Sequence, residues 1–491
     1  MNVLNLDLHP LNIQDNQKTK SAENHFPRLP PLLPFNRMKN MTRKLFFIVC
    51  IQGLLGLQQA YATTYYVSPS GANTNNGTSS STPVKTISYA LSKALKSGDI
   101  VYVMTGTYVE ALSIKQSGIT LAAYQNNKPV IDGQRSLPNK DWGSLIYVTG
   151  NNNTISGFEV KNSNASGARL GGYGAEVVGN RNTFSKMNMH HGWKAGIIIR
   201  GDYNIVEDSL IWQNSTNNVN GNGNGWGVGL SSARNYSKTT LIPGKSSYTI
   251  LRRNKIYNNW GEGMSCFEAD HCTMEDNISY DNWTVNLYLS DATNSVVQRN
   301  LVYISSQPAI PTRNSSHPGI ALADEVASVP RSTNNMVINN FLYNAGLQAF
   351  NWTLVSKSGL NNVLIANNTI VDGDLFTGSG GAQSIVNTNS QIRNNIILGT
   401  RSSVPSKSGI TFSNNNWAKT PSLAATATNI VGDPRIARSG TTTPGTLTST
   451  YFKLLGSSPV IDTATPLNAV PKDFYQVARG SAPDIGGHEF Q

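Results

Sequence analysis

Charge is scarce in this chain. Asp, Glu, Lys and Arg make up only 14% of its 491 residues, too few for a protein of long charged helices or for a charged disordered chain. No helical heptad recurs, which argues against a coiled coil. No dense Lys/Arg run and no nucleic-acid motif occurs, so nucleic acid is not the expected partner. No metal-spaced Cys/His cluster, no G-x-S-x-G and no phosphate loop is present. Cysteine is nearly absent. Of three, Cys50 lies in an apolar leader, and only Cys266 and Cys272 remain beyond it. They are open to two readings, a disulfide or a pair of small buried residues. What the chain has in quantity is Asn, Gly, Ser and Thr, the residues of turns between short strands.

The leader is legible. Lys39, Arg43 and Lys44 precede an apolar run from Leu45 to Leu57, and Ala60-Tyr61-Ala62 makes a small-x-small site. This predicts a signal peptide over 38–62, cleaved before Thr63, with residues 1–37 upstream of the true start or disordered. The run is too short for a membrane span. The expected location is therefore secreted or periplasmic, and the expected state a monomer. Seven Lys or Arg and three Asp or Glu fall in residues 1–62, leaving a formal charge of +7 on the rest. A mildly basic chain suits an acidic partner, and with nucleic acid set aside an acidic polysaccharide fits.

A repeat fills most of the chain beyond the leader. Asn254, Asn277, Asn300, Asn340, Asn368 and Asn395 share one position, taken by Asp208, Met187 and Phe158 in earlier copies. Apolar residues stand three places before it and, but for Ser279, two places after it, and the cleanest spacing is 23 residues. Each copy holds two or three short alternating strands. Stacked copies turn each position into a ladder of about 4.8 Å pitch. The predicted fold is all-β: a right-handed parallel β-helix of about ten or more rungs. A stacked Asn column can bond rung to rung at a turn. One helix, predicted over Val84–Lys96 with Thr82 as its cap and Gly98 as its stop, presents Ile87, Ala90, Leu91, Ala94 and Leu95 on one face and caps the solenoid's first end. The expected division is 63–118 for strand and cap, 119–400 for the β-helix, and 401–491 for the last rungs and a closing segment.

A second strand in each central rung carries the candidate chemistry. "WKAGIIIRG", "WGVGLSSAR", "WGEGMSCFE", "WTVNLYLSD" and "SHPGIALAD" align. Ile198, Ser231, Ser265, Tyr288 and Ala321 then point outward by alternation. Glu262 replaces an apolar member in the column of Ala195, Val228, Val285 and Pro318, and a charge placed there needs a partner or a purpose. Arg234, Glu268, Asp291 and Asp324 share the position at the strand's end. Carboxylates on consecutive rungs repel, and a cation such as Ca²⁺, Arg234 or solvent relieves them. Trp193, Trp226, Trp260 and Trp283 form a column that serves sugar stacking or turn packing. His190 and Lys194 in "MHHGWK" offer a base or a sugar contact. Long insertions, between Asp208 and Asn254 and between Asn300 and Asn340, bracket these rungs and are expected to build binding walls.

At these residues the chain resembles the family-9 polysaccharide lyases, secreted pectate lyases. "YYVSPSGANTNNGTS" resembles the family's first strand and loop, residues 172–214 a central rung pair, and "GSAPDIGGHEF" the closing strand. The resemblance implies a β-helix, calcium held by aspartates on adjacent rungs, and a lysine base. The family's acidic stretch falls on "GEGMS", where Gly261 and Ser265 replace aspartates and Glu262 keeps a carboxylate. The family lysine falls on Tyr288.

The expected function is β-elimination on a uronate-containing polysaccharide. Glu262, Tyr288, Lys194 and His190 are the candidate catalytic residues, and Arg200, Arg234, Trp226 and Trp260 the substrate contacts. Glu268, Asp291 and Asp324 would hold calcium if a metal is used. The alternatives are a glycoside hydrolase, a uronate epimerase, or a non-catalytic β-helix that binds polysaccharide.

Overall fold

The structure is a computed structural model. It describes residues 61–491 apart from 139–142, 165–170, 222–226, 234–245, 314–317, 327–330, 351–357 and 379–384. The predicted signal peptide up to Ala60 therefore lies outside the described residues, as do Trp226 and Arg234. Ala62–Gln491 form one compact unit.

The chain winds through three parallel sheets of 13, 10 and 13 strands. A typical turn of the coil runs through Glu262–Phe267 in the second sheet, Thr273–Glu275 in the first and Ile278–Tyr280 in the third. It then rises to Leu287–Ser290, back in the second sheet. Inward side chains make one continuous core, for example Ile155, Phe184, Val206, Leu251, Met274, Val297 and Val337 on successive strands of the first sheet.

The corner between the first and third sheets is built from asparagine. The backbone N–H of Asn254 donates to Asn277 Oδ1 at 2.9 Å, that of Asn277 to Asn300 at 3.0 Å, and that of Asn300 to Asn340 at 3.0 Å. The column runs on through Asn368 and Asn395 to Asn415. Each amide also donates to a backbone carbonyl, as Asn277 Nδ2 does to Leu251 at 2.9 Å. Polar groups buried at the bend are thus satisfied by the neighbouring rungs. A second ladder, Asn214–Asn259–Asn282, holds the corner that leads into the second sheet.

One rung departs from the sequence alignment. Leu210 pairs with Lys255, so Ser209, not Asp208, lies against Asn254 and donates its N–H to Asn254 Oδ1 at 3.1 Å. Asp208 belongs to the preceding column of left-handed residues that turn the corner, with Arg253, Asp276 and Arg299 at φ of 52, 53, 57 and 52° in chain order. Ser209 Oγ accepts from Met187 N at 3.1 Å, the bond an asparagine oxygen makes elsewhere.

The helix is shorter than predicted, Ile87–Lys93. Val84 is held in a parallel bridge with Val67, so the chain cannot turn helical until Thr86. Thr86 caps by accepting from Tyr89 N, and the Glu110 carboxylate takes the N–H groups of Ile87 and Ser88 at 2.9 Å each. The helix ends on Ala94 rather than at Gly98. It packs on Thr64–Val67, Ile100–Val103 and Leu112–Ile114, burying Ile87, Ala90 and Leu91 at the first end of the core.

After the last rung the chain turns back. Ile436, Leu447, Tyr451, Phe452, Val460 and Ile485 pack against Tyr280, Tyr303, Phe341, Val371 and Ile396 on the outer face of the third sheet. Cys266 and Cys272 are joined in a buried disulfide across the corner after Phe267. Asn277→Ala is expected to cost about 2–4 kcal/mol, because it strands the N–H of Asn254 and the carbonyl of Leu251 at once. Denaturant unfolding of the variant against the parent measures it.

Candidate functional site

The second sheet turns an outer face to a cavity of about 550 Å³. Two outward columns floor it. One reads Tyr173, Ala195, Val228, Glu262, and the other Ile198, Ser231, Ser265, Tyr288, Ala321, Gln348. The alignment of these columns in the sequence matches the register strand for strand. Lys194, Arg200, Phe267, Val285, Arg313 and Glu325 complete the lining that bears on chemistry.

Three ionisable groups cluster at the centre. Tyr288 Oη donates to Glu325 Oε1 at 2.5 Å. Glu262 feels the charge of Glu325, and the Ser265 hydroxyl on the same strand favours its ionised form slightly. It keeps some surface open to the cavity, yet protein crowds it closely enough that burial, then repulsion from Glu325, pushes its carboxyl up to about 8. Burial raises the Tyr288 phenol well above its ordinary value, and the Glu325 and Glu262 charges add to that. Glu262 is therefore held toward its acid form at neutral pH beside a second carboxyl, Glu325, an arrangement suited to giving and taking a proton.

Cations gather at the cavity's two flanks. Arg200 Nε donates to Glu176 Oε1 at 2.7 Å, and both side chains are nearly enclosed. Lys194 lies at the entrance to its strand, two rungs from Glu262, or about 10 Å at a strand spacing of about 4.8 Å. Burial and then the charge of Arg200 pull its ammonium below the usual lysine range. Among the described residues no carboxylate lies within ion-pair distance of Lys194. Arg313, from the insertion between Asn300 and Asn340, lies 5.6 Å over the Trp283 ring and lines the other flank.

The other sequence candidates fall elsewhere. His190 ends the Asn188–His190 strand of the third sheet, so the fold points it away from this cavity. Its ring stacks on Trp212 with centroids 4.6 Å apart and reaches Glu159 at 3.4 Å. Trp260 sits at a corner, where its N–H donates to Asn214 O at 2.9 Å, and does not line the cavity. Trp193 packs on Gly172 and Trp283 lies between Gly221 and Arg313, so these rings fill corners rather than present a flat sugar platform.

The acidic column does exist. Glu268 N donates to Ser290 O and Asp291 N to Ala323 O, which sets Glu268, Asp291 and Asp324 on successive rungs, all buried. Two of these carboxylates bond into the corner: Asp291 accepts from Glu325 N at 2.9 Å, and Asp324 Oδ1 from Ser332 N at 2.9 Å. Among the described residues no group of three or more His, Cys, Asp or Glu is placed to hold a metal ion. The donor set for a calcium ion is absent from "GEGMS" as well, where Gly261 and Ser265 carry no carboxylate. These residues do not fit the metal that the resemblance implies.

Glu325, Arg313 and Glu176 were not singled out in the sequence. Glu325 follows Asp324 directly, and Arg313 lies in an insertion expected to form a wall, but neither belongs to a repeating column.

Residues 65–225 match a family model described as Pel9A-like, right handed beta helix region, and residues 231–357 one described as right handed beta helix region. The chain is a pectate-lyase-like right-handed parallel β-helix protein. Over 175 residues it is 31% identical to Pectate lyase L of Dickeya dadantii (strain 3937), a match covering 32% of this chain and 39% of that protein. The chain thus spans about two fifths of the curated pectate lyases it matches. The crystal structure of pectate lyase Pel9A superposes with a TM-score of 0.53 at 22% identity, covering 88% of this chain and 98% of the other. A rhamnogalacturonan lyase superposes at 0.52 and 19% identity, covering 77% and 91%. At such identities the structural likeness is one of fold.

The raised Glu262 carboxyl has a measurable sign. Its unfolded value is near 4.5 and its folded value about 8, so the folded state holds the proton across that window and loses stability as pH rises through it. Glu262→Gln removes this loss. The variant is expected to gain thermal stability relative to the parent from about pH 4.5 to about pH 8, with no further gain above. A series of melting curves against pH checks it.

Proposed function

We propose that this protein cleaves a uronate-containing polysaccharide by β-elimination in the cavity of the second sheet. Lys194 carries the reading. A half-buried ammonium beside a second cation, with no carboxylate of its own among the described residues, gains most from an incoming anion. A uronate carboxylate supplies one, and its charge restores the Lys194 proton affinity that burial lowers. Arg313 supports the same carboxylate or its neighbour from the opposite flank.

Elimination needs the carboxylate's charge countered, the adjacent carbon's proton removed, and the leaving oxygen protonated. Lys194 meets the first need. For the second, Tyr288 takes the carbon-bound proton as its own phenolic proton passes to Glu325, so a phenolate, disfavoured here, never forms. The electron pair left behind becomes the new carbon–carbon double bond, and the glycosidic oxygen departs with the pair of the bond it breaks. Glu262, protonated at neutral pH, gives that oxygen its proton. Exchange with solvent then returns Glu325 and Glu262 to their starting states. The metal-free donor set leaves no step to calcium. Export through the 38–62 leader belongs to this reading, because such polymers lie outside the cell.

A hydrolase is the second reading, favoured by the same pair of glutamates, Glu262 raised toward its acid form and Glu325 held by a tyrosine. The products separate the two. Incubation with a panel of polyuronates and uronate-containing heteropolymers is expected to release unsaturated uronate ends, seen by their ultraviolet absorbance, with or without chelator. Reducing ends that appear without unsaturation would instead establish the hydrolase. Binding with no turnover across the panel sinks both. Glu262→Gln and Tyr288→Phe are expected to lower kcat by about 100-fold or more. Lys194→Met is expected to act chiefly by raising KM.

A further inference from the structure

The cavity is long in one direction and unevenly charged along it. Its lining comes from seven consecutive strands of the second sheet, from Tyr173–Val177 to Gly346–Ala349. At a strand spacing of about 4.8 Å they span about 29 Å, so an extended glycan lies across the strands. On the Tyr173 side of the centre the lining holds two cations, Lys194 and Arg200. Past Tyr288 the strands supply none. Arg313 comes from an insertion, is exposed, and is held over the Trp283 ring ahead of the Leu287–Ser290 strand.

The outward column beyond the centre reads Tyr288, Ala321, Gln348. Ala321 and Ala323 pack with Tyr288 and Val285 into a small apolar patch, and Pro318 begins the same strand. Two carboxyls follow that strand. Asp324 accepts from Ser332 N, and Glu325 accepts from Tyr288 Oη. The charge of Glu325 already opposes negative charge at Glu262 and at Tyr288. A carboxylate brought to this patch exchanges water for methyl groups and meets that charge, with no cation on the neighbouring strands. Both effects disfavour it. An uncharged sugar face or a methyl group gains by burial in the same place.

We propose that the unit next to the cleaved uronate, on the Ala321 side, is uncharged and turns an apolar group toward Ala321 and Pro318. The substrate class is then a uronate polymer whose charge is interrupted, by a neutral sugar or by an esterified uronate, rather than an unbroken polyuronate. This rests on the elimination reading for which unit is cleaved. The preference itself belongs to the cavity floor and acts on binding alone.

Three polymers of matched length test it: an unesterified uronate homopolymer, the same polymer methyl-esterified on alternate units on average, and one alternating uronate with a neutral sugar. Release of unsaturated ends is followed with the parent chain, and affinity by calorimetry with Glu262→Gln. At least one interrupted polymer is expected to exceed the homopolymer by about tenfold or more, in kcat/KM and in affinity. Which of the two does so identifies the source of the uncharged group. A homopolymer bound and cleaved as well as either overturns the proposal and leaves the elimination reading intact. The same preference in binding, with no unsaturated ends from any polymer, upholds the proposal and removes that reading. Binding to none of the three overturns it. Ala321→Lys sets a cation on the patch and is expected to raise the homopolymer about tenfold relative to the interrupted polymers, whereas Ala321→Gln is not. Equal ratios in the two variants overturn the place given to Ala321. Should neither variant fold, the parent's ranking decides alone.

Discussion

Everything in this molecule depends on the hydrogen bond between one rung and the next. A parallel coil has no hairpins, so each strand's backbone groups are met by strands a whole turn away in sequence. The corners are where such a fold fails first, because the chain bends and its peptide groups lose their ladder partners. The asparagine columns solve this with a side chain that gives and accepts across the same spacing as the backbone. Apolar side chains then stack behind them, and the left-handed residue before each asparagine supplies the bend.

That regularity makes departures from it meaningful. Three sheets of stacked strands hold an outer face whose positions repeat at a fixed pitch, so a group placed on one rung keeps its distance from a group on the next. Glu262 and Tyr288 belong to neighbouring columns of adjacent strands, and the corner after Pro318–Ala323 carries Glu325 back to Tyr288. The resulting centre differs from the metal-bridged one that the family resemblance implies. Burial and the charge of Glu325 raise the Glu262 carboxyl, and the Tyr288 hydroxyl meets Glu325. Positive charge is reserved at the flanks, where Arg200 is matched by Glu176 and Lys194 has no carboxylate beside it among the described residues.

Much of this could be read from the residues alone, wherever the period of two along a strand and the rung spacing governed position. The outward column from Ile198 to Ala321, the displaced apolar member at Glu262 and the acidic column from Glu268 to Asp324 all follow from that arithmetic. The arithmetic slipped by one at Asp208, because a serine can imitate the asparagine oxygen and an aspartate can occupy the left-handed corner. It could not reach Arg313 or Glu325, which come from an insertion and from beyond a strand's end. Nor could it separate His190 from Lys194. They stand four residues apart in sequence, but the corner between them sends one to the third sheet and the other to the second. The helix was misjudged at its start because the pairing of Val84 with Val67 is a contact that local preference does not contain.

The returning C-terminal segment changes what kind of object this solenoid is. A stack of rungs is a chain of neighbours, able to grow one turn at a time. Here Gly445 donates its N–H to Tyr303, and Asn339 donates to the carbonyl of Lys472. Contacts across well over a hundred residues close the third sheet's aromatic face. On a ribosome the rungs can form in order, but that face stays bare until the segment from Ile436 to Ile485 has emerged. Arrival of that segment, rather than of any rung, is the event that removes the stack of tyrosines from water.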